Sequence, residues 1–213
     1  MSATEPIENR RFVLILQHPQ EKKEALATAS ATCSALRRAS LVIGLSWPNL
    51  ARALGRRADA KQWAVLYLGS VHPSSYGLDQ EIIALDRHGQ PAADQQAILK
   101  ALEGVVLLDG SWSEAKALWW RNPWLLKLHR IVLNPQGTSR FGRLRREPRR
   151  ESLSTIEAAA LVLKHLDGVE AEAALLDVLQ GLLAQVRPIS QTPKQPARNA
   201  GSLRRGAGGR RGV

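Results

Sequence analysis

Asp109-Gly110-Ser111-Trp112 sets a carboxylate, a glycine, a hydroxyl and an indole in consecutive positions, directly after the apolar run at 105–108 (VVLL). A carboxylate that ends a strand, precedes glycine and is not itself a helix cap can accept or orient a proton on a ligand. Ser111 and Glu114 have the S-x-x-E spacing of a capping box, and Ser154 and Glu157 repeat it. Capping alone accounts for these four side chains. Each pair nevertheless marks a helix start, and helix starts attract anionic groups such as an amino-acid carboxylate. Trp112 suits either a core position or the flank of a planar ring.

A second concentration of chemistry is cationic. Arg140, Arg143, Arg145, Arg146, Arg149 and Arg150 fall within eleven residues, opposed only by Glu147. The whole chain has 30 Lys+Arg against 19 Asp+Glu, a formal net charge of +11. A solvated arginine-rich face would explain the total, but the clustering favours a polyanionic partner, RNA above all.

Other chemistries lack their signatures. No G-x-G-x-x-G follows a strand, no phosphate-cradling G-x-x-x-x-G-K-[ST] occurs, and no G-x-S-x-G elbow is present. His18, His72, His88, His129 and His165 show no metal-ligand spacing, so no metal is expected. Cys33 is the only cysteine; it can form no internal disulfide, and in an Ala-rich helical stretch a small buried side chain is its expected role.

The elements that must position these residues alternate in type. Apolar runs at 12–16 (FVLIL), 40–45 (SLVIGL), 63–68 (WAVLYL), 105–108 and 131–133 read as strands. Helices are expected at 22–36, after Trp47-Pro48, at 91–103 with Gly104 as C-cap, at 113–122, at 155–166 and at 170–185. The stretch 71–90 is turn-rich, with a short apolar piece at 81–85, and 134–153 is a long loop that carries the arginines. This alternation predicts an α/β fold, a mostly parallel sheet with helices on both faces. Ligands of such sheets bind outside the carboxyl ends of the strands.

Three segments are expected: an N-terminal extension at 1–10, one folded domain at 11–187, which the resemblance described below makes the catalytic one, and a disordered basic tail at 188–213. The tail has no acidic residue and few large apolar ones, too little to offset its ordering entropy. No apolar run approaches the roughly eighteen residues of a membrane span, and the first eleven residues lack a secretory h-region. A soluble cytoplasmic protein with no membrane partner is therefore expected. The oligomeric state is not encoded visibly, and a monomer is the working expectation.

Four segments, in order, resemble the DTW-domain family, the tRNA-uridine aminocarboxypropyltransferases of the wider SPOUT group. Gln17-His18-Pro19 with Glu21 is similar to the family's QHP-x-E after the first strand. Asp109-Gly110-Ser111-Trp112 resembles its D-x-T-W, and Arg121-Asn122-Pro123-Trp124-Leu125 its R-N-P-W-L. Ser139-Arg140 through Leu153-Ser154-Thr155-Ile156-Glu157-Ala158 resembles its S-x-Y-x-x-R-x-x-P…L-S-T-x-E-A block. The match spans about residues 11–166. Ser111 replaces the family threonine and keeps its hydroxyl, a form also similar to the related ribosomal-RNA enzymes. Phe141 stands near a frequent tyrosine, and the cysteine-rich zinc segment of many members has no counterpart here.

The resemblance implies a SPOUT-like domain with a C-terminal trefoil knot, an exception to the rule that chains are not knotted. It implies that S-adenosylmethionine is wrapped by Leu108, Gly110, Ser111 and Trp112, by Leu133, Asn134, Pro135 and Gly137, and by Leu153, Ser154, Thr155 and Glu157. The implied reaction moves the donor's 3-amino-3-carboxypropyl group to N3 of a uridine in tRNA and releases methylthioadenosine. Asp109 would serve as its base, and the arginine cluster would hold phosphates. The rivals are the same transfer to ribosomal RNA, a SPOUT-type RNA methyl transfer, and a non-catalytic RNA-binding module.

Overall fold

The computed structural model describes residues 5–23, 27–66, 76–77, 79–135 and 153–186. Six strands form one sheet: β1 (Phe12–Gln17), β2 (Ala39–Ile43), β3 (Trp63–Leu66), β4 (Ile82–Leu85), β5 (Gly104–Asp109) and β6 (His129–Leu133). Their spatial order is β2-β1-β5-β3-β6-β4. Every pairing is parallel except that of the edge strand β4 with β6.

The strands lack polar alternation because both faces are covered. Val13 and Ile15 of β1 enter one core while Leu14 and Leu16 enter the other, as a side-chain period of two requires. The first layer holds α1 (Thr28–Ala35), α3 (Gln95–Ala101), α5 (Thr155–Leu166) and α6 (Val169–Val186). The second holds α2 (Leu50–Leu54), α4 (Trp112–Arg121) and a 3-10 turn at Pro123–Lys127. The α/β architecture expected from the alternation is thus present. No helix among the described residues is long and apolar enough to cross a membrane.

Three local expectations change. Residues 22–36 are not one helix: a 3-10 turn occupies Pro19–Lys23 and α1 begins at Thr28. The piece at 81–85, read within a turn-rich stretch, supplies the sixth strand, which pairs with β6 through Ile82↔Leu133 to Leu85↔Arg130. Gly104 is not a helix C-cap; it opens β5, and α3 ends at Ala101. Its lack of a side chain has a packing cause, because a Cβ there would lie 2.7 Å from both the Phe12 carbonyl oxygen and the Trp63 ring.

An ion cluster fastens the edge strand to α5. Glu81, the residue before β4, accepts hydrogen bonds from Lys164 Nζ at 2.7 Å and His165 Nε2 at 3.0 Å. The Lys164 bond outweighs the opposing effect of burial and holds the Glu81 carboxyl below the usual carboxylate range. A depressed folded-state value means stabilisation that is present above about pH 4.3, the unfolded value, and lost as pH falls through the folded one. Glu81→Gln is expected to cost about 1 kcal/mol or less at neutral pH. Denaturant unfolding across pH 3–7 checks this: the gap between wild type and variant closes at the acid end, and a constant gap contradicts the assignment.

Candidate active site

Asp109 ends β5 at the carboxyl edge of the sheet and is 7% exposed. Its neighbour across the parallel pairing is Gln17, the last residue of β1. From this pair the chain leaves to opposite faces, β1 toward α1 in the first layer and β5 to α4 in the second. Such a topological switch point opens a crevice between strand ends, the usual ligand position in open α/β sheets.

The Asp109 carboxylate is clasped from two directions. Oδ2 accepts from Gln17 Nε2 at 2.8 Å, and Oδ1 accepts a hydrogen bond from the Thr155 hydroxyl. The His18 amide donates to the Asp109 carbonyl oxygen at 2.9 Å. A carboxylate offers about four lone-pair directions, so two donors fix its orientation and leave acceptor capacity for a ligand proton.

Two helices start beside it. At α4, Ser111 and Glu114 form a capping box in which the Ser111 amide and hydroxyl each lie 2.7 Å from Glu114 Oε2. At α5, the Ser154 amide and hydroxyl donate to Glu157 Oε2 at 2.9 and 2.7 Å, and the Glu157 amide returns a bond to Ser154 Oγ at 3.4 Å. Capping boxes serve the N-cap and N3 amides, so the N1 and N2 amides are what these starts offer to an anion. Gly110 joins β5 to α4 with φ of 155°, and a Cβ there would stand 2.9 Å from Glu114 Cβ. Glycine at this position follows from both constraints.

Three titratable side chains lie against this turn. His18 Nδ1 is 3.4 Å from Glu114 Oε1, and Glu21 is hydrogen-bonded to the Glu114 carboxyl. Burial opposes charge on Glu114, but bonds from Ser111 and Glu21 and the nearby His18 prevail and hold its carboxyl below the usual range. Among the described residues, no trio of His, Cys, Asp or Glu is placed to hold a metal ion.

Of the residues singled out in the sequence, Asp109, Gly110, Ser111, Trp112, Ser154, Thr155 and Glu157 meet in this one place, with Leu108 and Leu153 beside them in the chain. Leu133 ends β6, with Asn134 and Pro135 directly after it, and β3 separates that strand from β5. Val106, Val65 and Arg130 are in register, so Asp109 and Leu133, three positions further along their strands, end at one level. Two strand spacings put them about 10 Å apart, and the Asn134 amide donates instead to the Glu81 carbonyl oxygen at 2.8 Å. Gly137, Arg140, Arg143, Arg145, Arg146, Arg149 and Arg150 lie outside the described residues. Gln17, His18 and Glu21 were matched as a motif but given no role. Their signal was the same one that selected Asp109, namely position just beyond a strand's carboxyl end.

The chain shows 31% identity over 159 residues to tRNA-uridine aminocarboxypropyltransferase 2 of Drosophila melanogaster, covering 73% of this chain and 56% of the relative. It shows 26% identity over 164 residues to tRNA-uridine aminocarboxypropyltransferase 2 of Mus musculus, covering 76% of this chain and 50% of the relative. The chain thus spans about half the length of the curated relatives it matches. No solved structure matches it. The DTW domain family matches residues 1–187, and with the strand-end Asp109 turn and the Ser154-Thr155 helix start at one edge of its sheet, the chain belongs to that family.

Proposed function

We propose that residues 11–187 transfer the 3-amino-3-carboxypropyl group of S-adenosylmethionine to N3 of a uridine in tRNA, releasing methylthioadenosine. The observation that carries this reading is a buried carboxylate, clasped by Gln17 and Thr155 between two helix starts at a switch point, in a chain whose relatives are named tRNA-uridine aminocarboxypropyltransferases. The donor's sulfonium makes the carbon joined to it open to displacement. The site residues fit such a donor: the starts of α4 and α5 suit its amino-acid carboxylate, and Trp112 offers a face to a ring.

The chain's own part in the reaction is positional and electrostatic. Asp109 accepts or orients the N3 proton of the uridine, a contribution typically of about 10²–10⁴-fold. Gln17 and Thr155 hold the carboxylate still, so that alignment is paid in advance. Leu133, Asn134, Pro135 and Gly137 complete the donor's surroundings in this reading, with Leu108, Leu153, Ser154 and Glu157. A SPOUT-like trefoil knot belongs to the same proposal, supported by the resemblance. Arg140, Arg143, Arg145, Arg146, Arg149 and Arg150 contact phosphates, giving affinity without base identity. The setting is cytoplasmic.

Incubation of the purified chain with S-adenosylmethionine and an unmodified tRNA transcript, followed by nucleoside mass spectrometry, tests the reading. The expected products are one aminocarboxypropyl-uridine and an equivalent of methylthioadenosine. S-adenosylhomocysteine in its place would mean methyl transfer, and neither product would leave the reading without a reaction.

A further inference from the structure

Along α4, Trp112, Lys116 and Trp120 recur at intervals of four and therefore share one helix face. Trp120 is 79% exposed and Trp112 40%. Lys116 Nζ stands 5.4 Å from the centre of the Trp112 ring, within cation–π range. The only acidic residue of α4, Glu114, turns away to Ser111 and His18. Two indoles with an ammonium between them thus cover about 12 Å of helix.

The helix itself stays beside the carboxyl rim. At its first turn α4 follows Asp109-Gly110-Ser111. At its last turn the Arg121 carbonyl oxygen accepts from Ser46 Oγ at 3.0 Å, while Asn122 donates to the Leu45 carbonyl oxygen at 3.1 Å and accepts from the Trp47 amide at 2.8 Å. Those three partners lie just past the end of β2, so both ends of the helix are anchored near the strand ends that frame Asp109.

We infer that the outer face of α4 from Lys116 to Trp120, continuing outward from the Trp112 ring beside the donor, is a stacking platform for single-stranded RNA flanking the target uridine. The inference rests on the reading proposed above and adds to it where the nucleotides beside the target are held. Aromatic side chains stack on any base and cations between them follow the backbone, a combination typical of single-strand binding. Charge selects this occupant over a second copy of the chain: two copies at +11 each repel, whereas a polyanion is drawn in.

The test measures binding of a fluorophore-labelled, unmodified tRNA transcript to the full chain and to Trp120→Ala and Lys116→Glu. The high exposure of Trp120 leaves the core untouched by its truncation. Loss of one stacked base predicts a fall in RNA affinity of about 5- to 150-fold for Trp120→Ala. Calorimetric affinity for S-adenosylmethionine and kcat stay within about twofold of wild type, so the change appears in KM for RNA. Undiminished RNA binding by Trp120→Ala overturns the platform, even if wild type modifies the transcript. Sedimentation that shows a wild-type dimer split by Trp120→Ala overturns it too, and assigns the face to self-association. Wild type that needs Trp120 to bind RNA yet yields no uridine adduct removes the proposed reaction and keeps the platform.

Discussion

Asp109→Asn is expected to slow aminocarboxypropyl transfer by about 10²–10⁴-fold, the usual worth of a positioned general base. The substitution keeps the side chain's size and removes its charge. It also converts one acceptor to a donor where Gln17 and Thr155 both donate. The Thr155 hydroxyl can rotate to accept, and the Gln17 amide can present its oxygen, so either partner can adapt. The strand end therefore survives, and the loss falls on chemistry. Single-turnover rates with saturating donor, beside RNA affinity measured separately, distinguish the outcomes. A rate near wild type removes Asp109 as the base, and a parallel collapse of RNA binding would make its role structural.

Trp63→Ala is expected to lower the free energy of unfolding by about 3–5 kcal/mol, the range for truncating a large buried aromatic side chain. Trp63 is wholly buried, its ring centroid 6.0 Å from that of Phe12, and its edge fills the space that Gly104 leaves open. Its Nε1 is buried with no hydrogen-bond partner among the described residues. That orphan donor carries a desolvation cost of about 1–3 kcal/mol, which phenylalanine would not have. Trp63→Phe is therefore expected to lose less than half as much as Trp63→Ala. Urea unfolding of the three proteins decides it; equal losses for Phe and Ala would mean that the indole nitrogen is satisfied in solution.

The pattern of β1 was legible because a strand buried on both faces is apolar throughout, and residues 12–16 are. The starts of α4 and α5 were legible because a capping box is a local device of four residues. Gly104 misled for a non-local reason: after a helical stretch glycine suggests a cap, but here it answers to a tryptophan forty-one positions earlier. Ile82 to Leu85 was passed over because a four-residue edge strand carries little periodicity of its own, and its partner lies fifty residues on. The place of Asp109 at a strand end could be read from the sequence, since the apolar run at 105–108 stops at it. That Gln17 would be its partner could not, because pairing between strands separated by ninety residues leaves no local trace.

The two clasps on Asp109 come from positions 92 residues before it and 46 after it. A nascent chain emerging from the ribosome therefore makes Gln17 at the end of β1, then the carboxylate, and completes the grip only when the start of α5 has appeared. A product stalled before Thr155 would hold the central strands without the hydroxyl that steadies the Asp109 carboxylate.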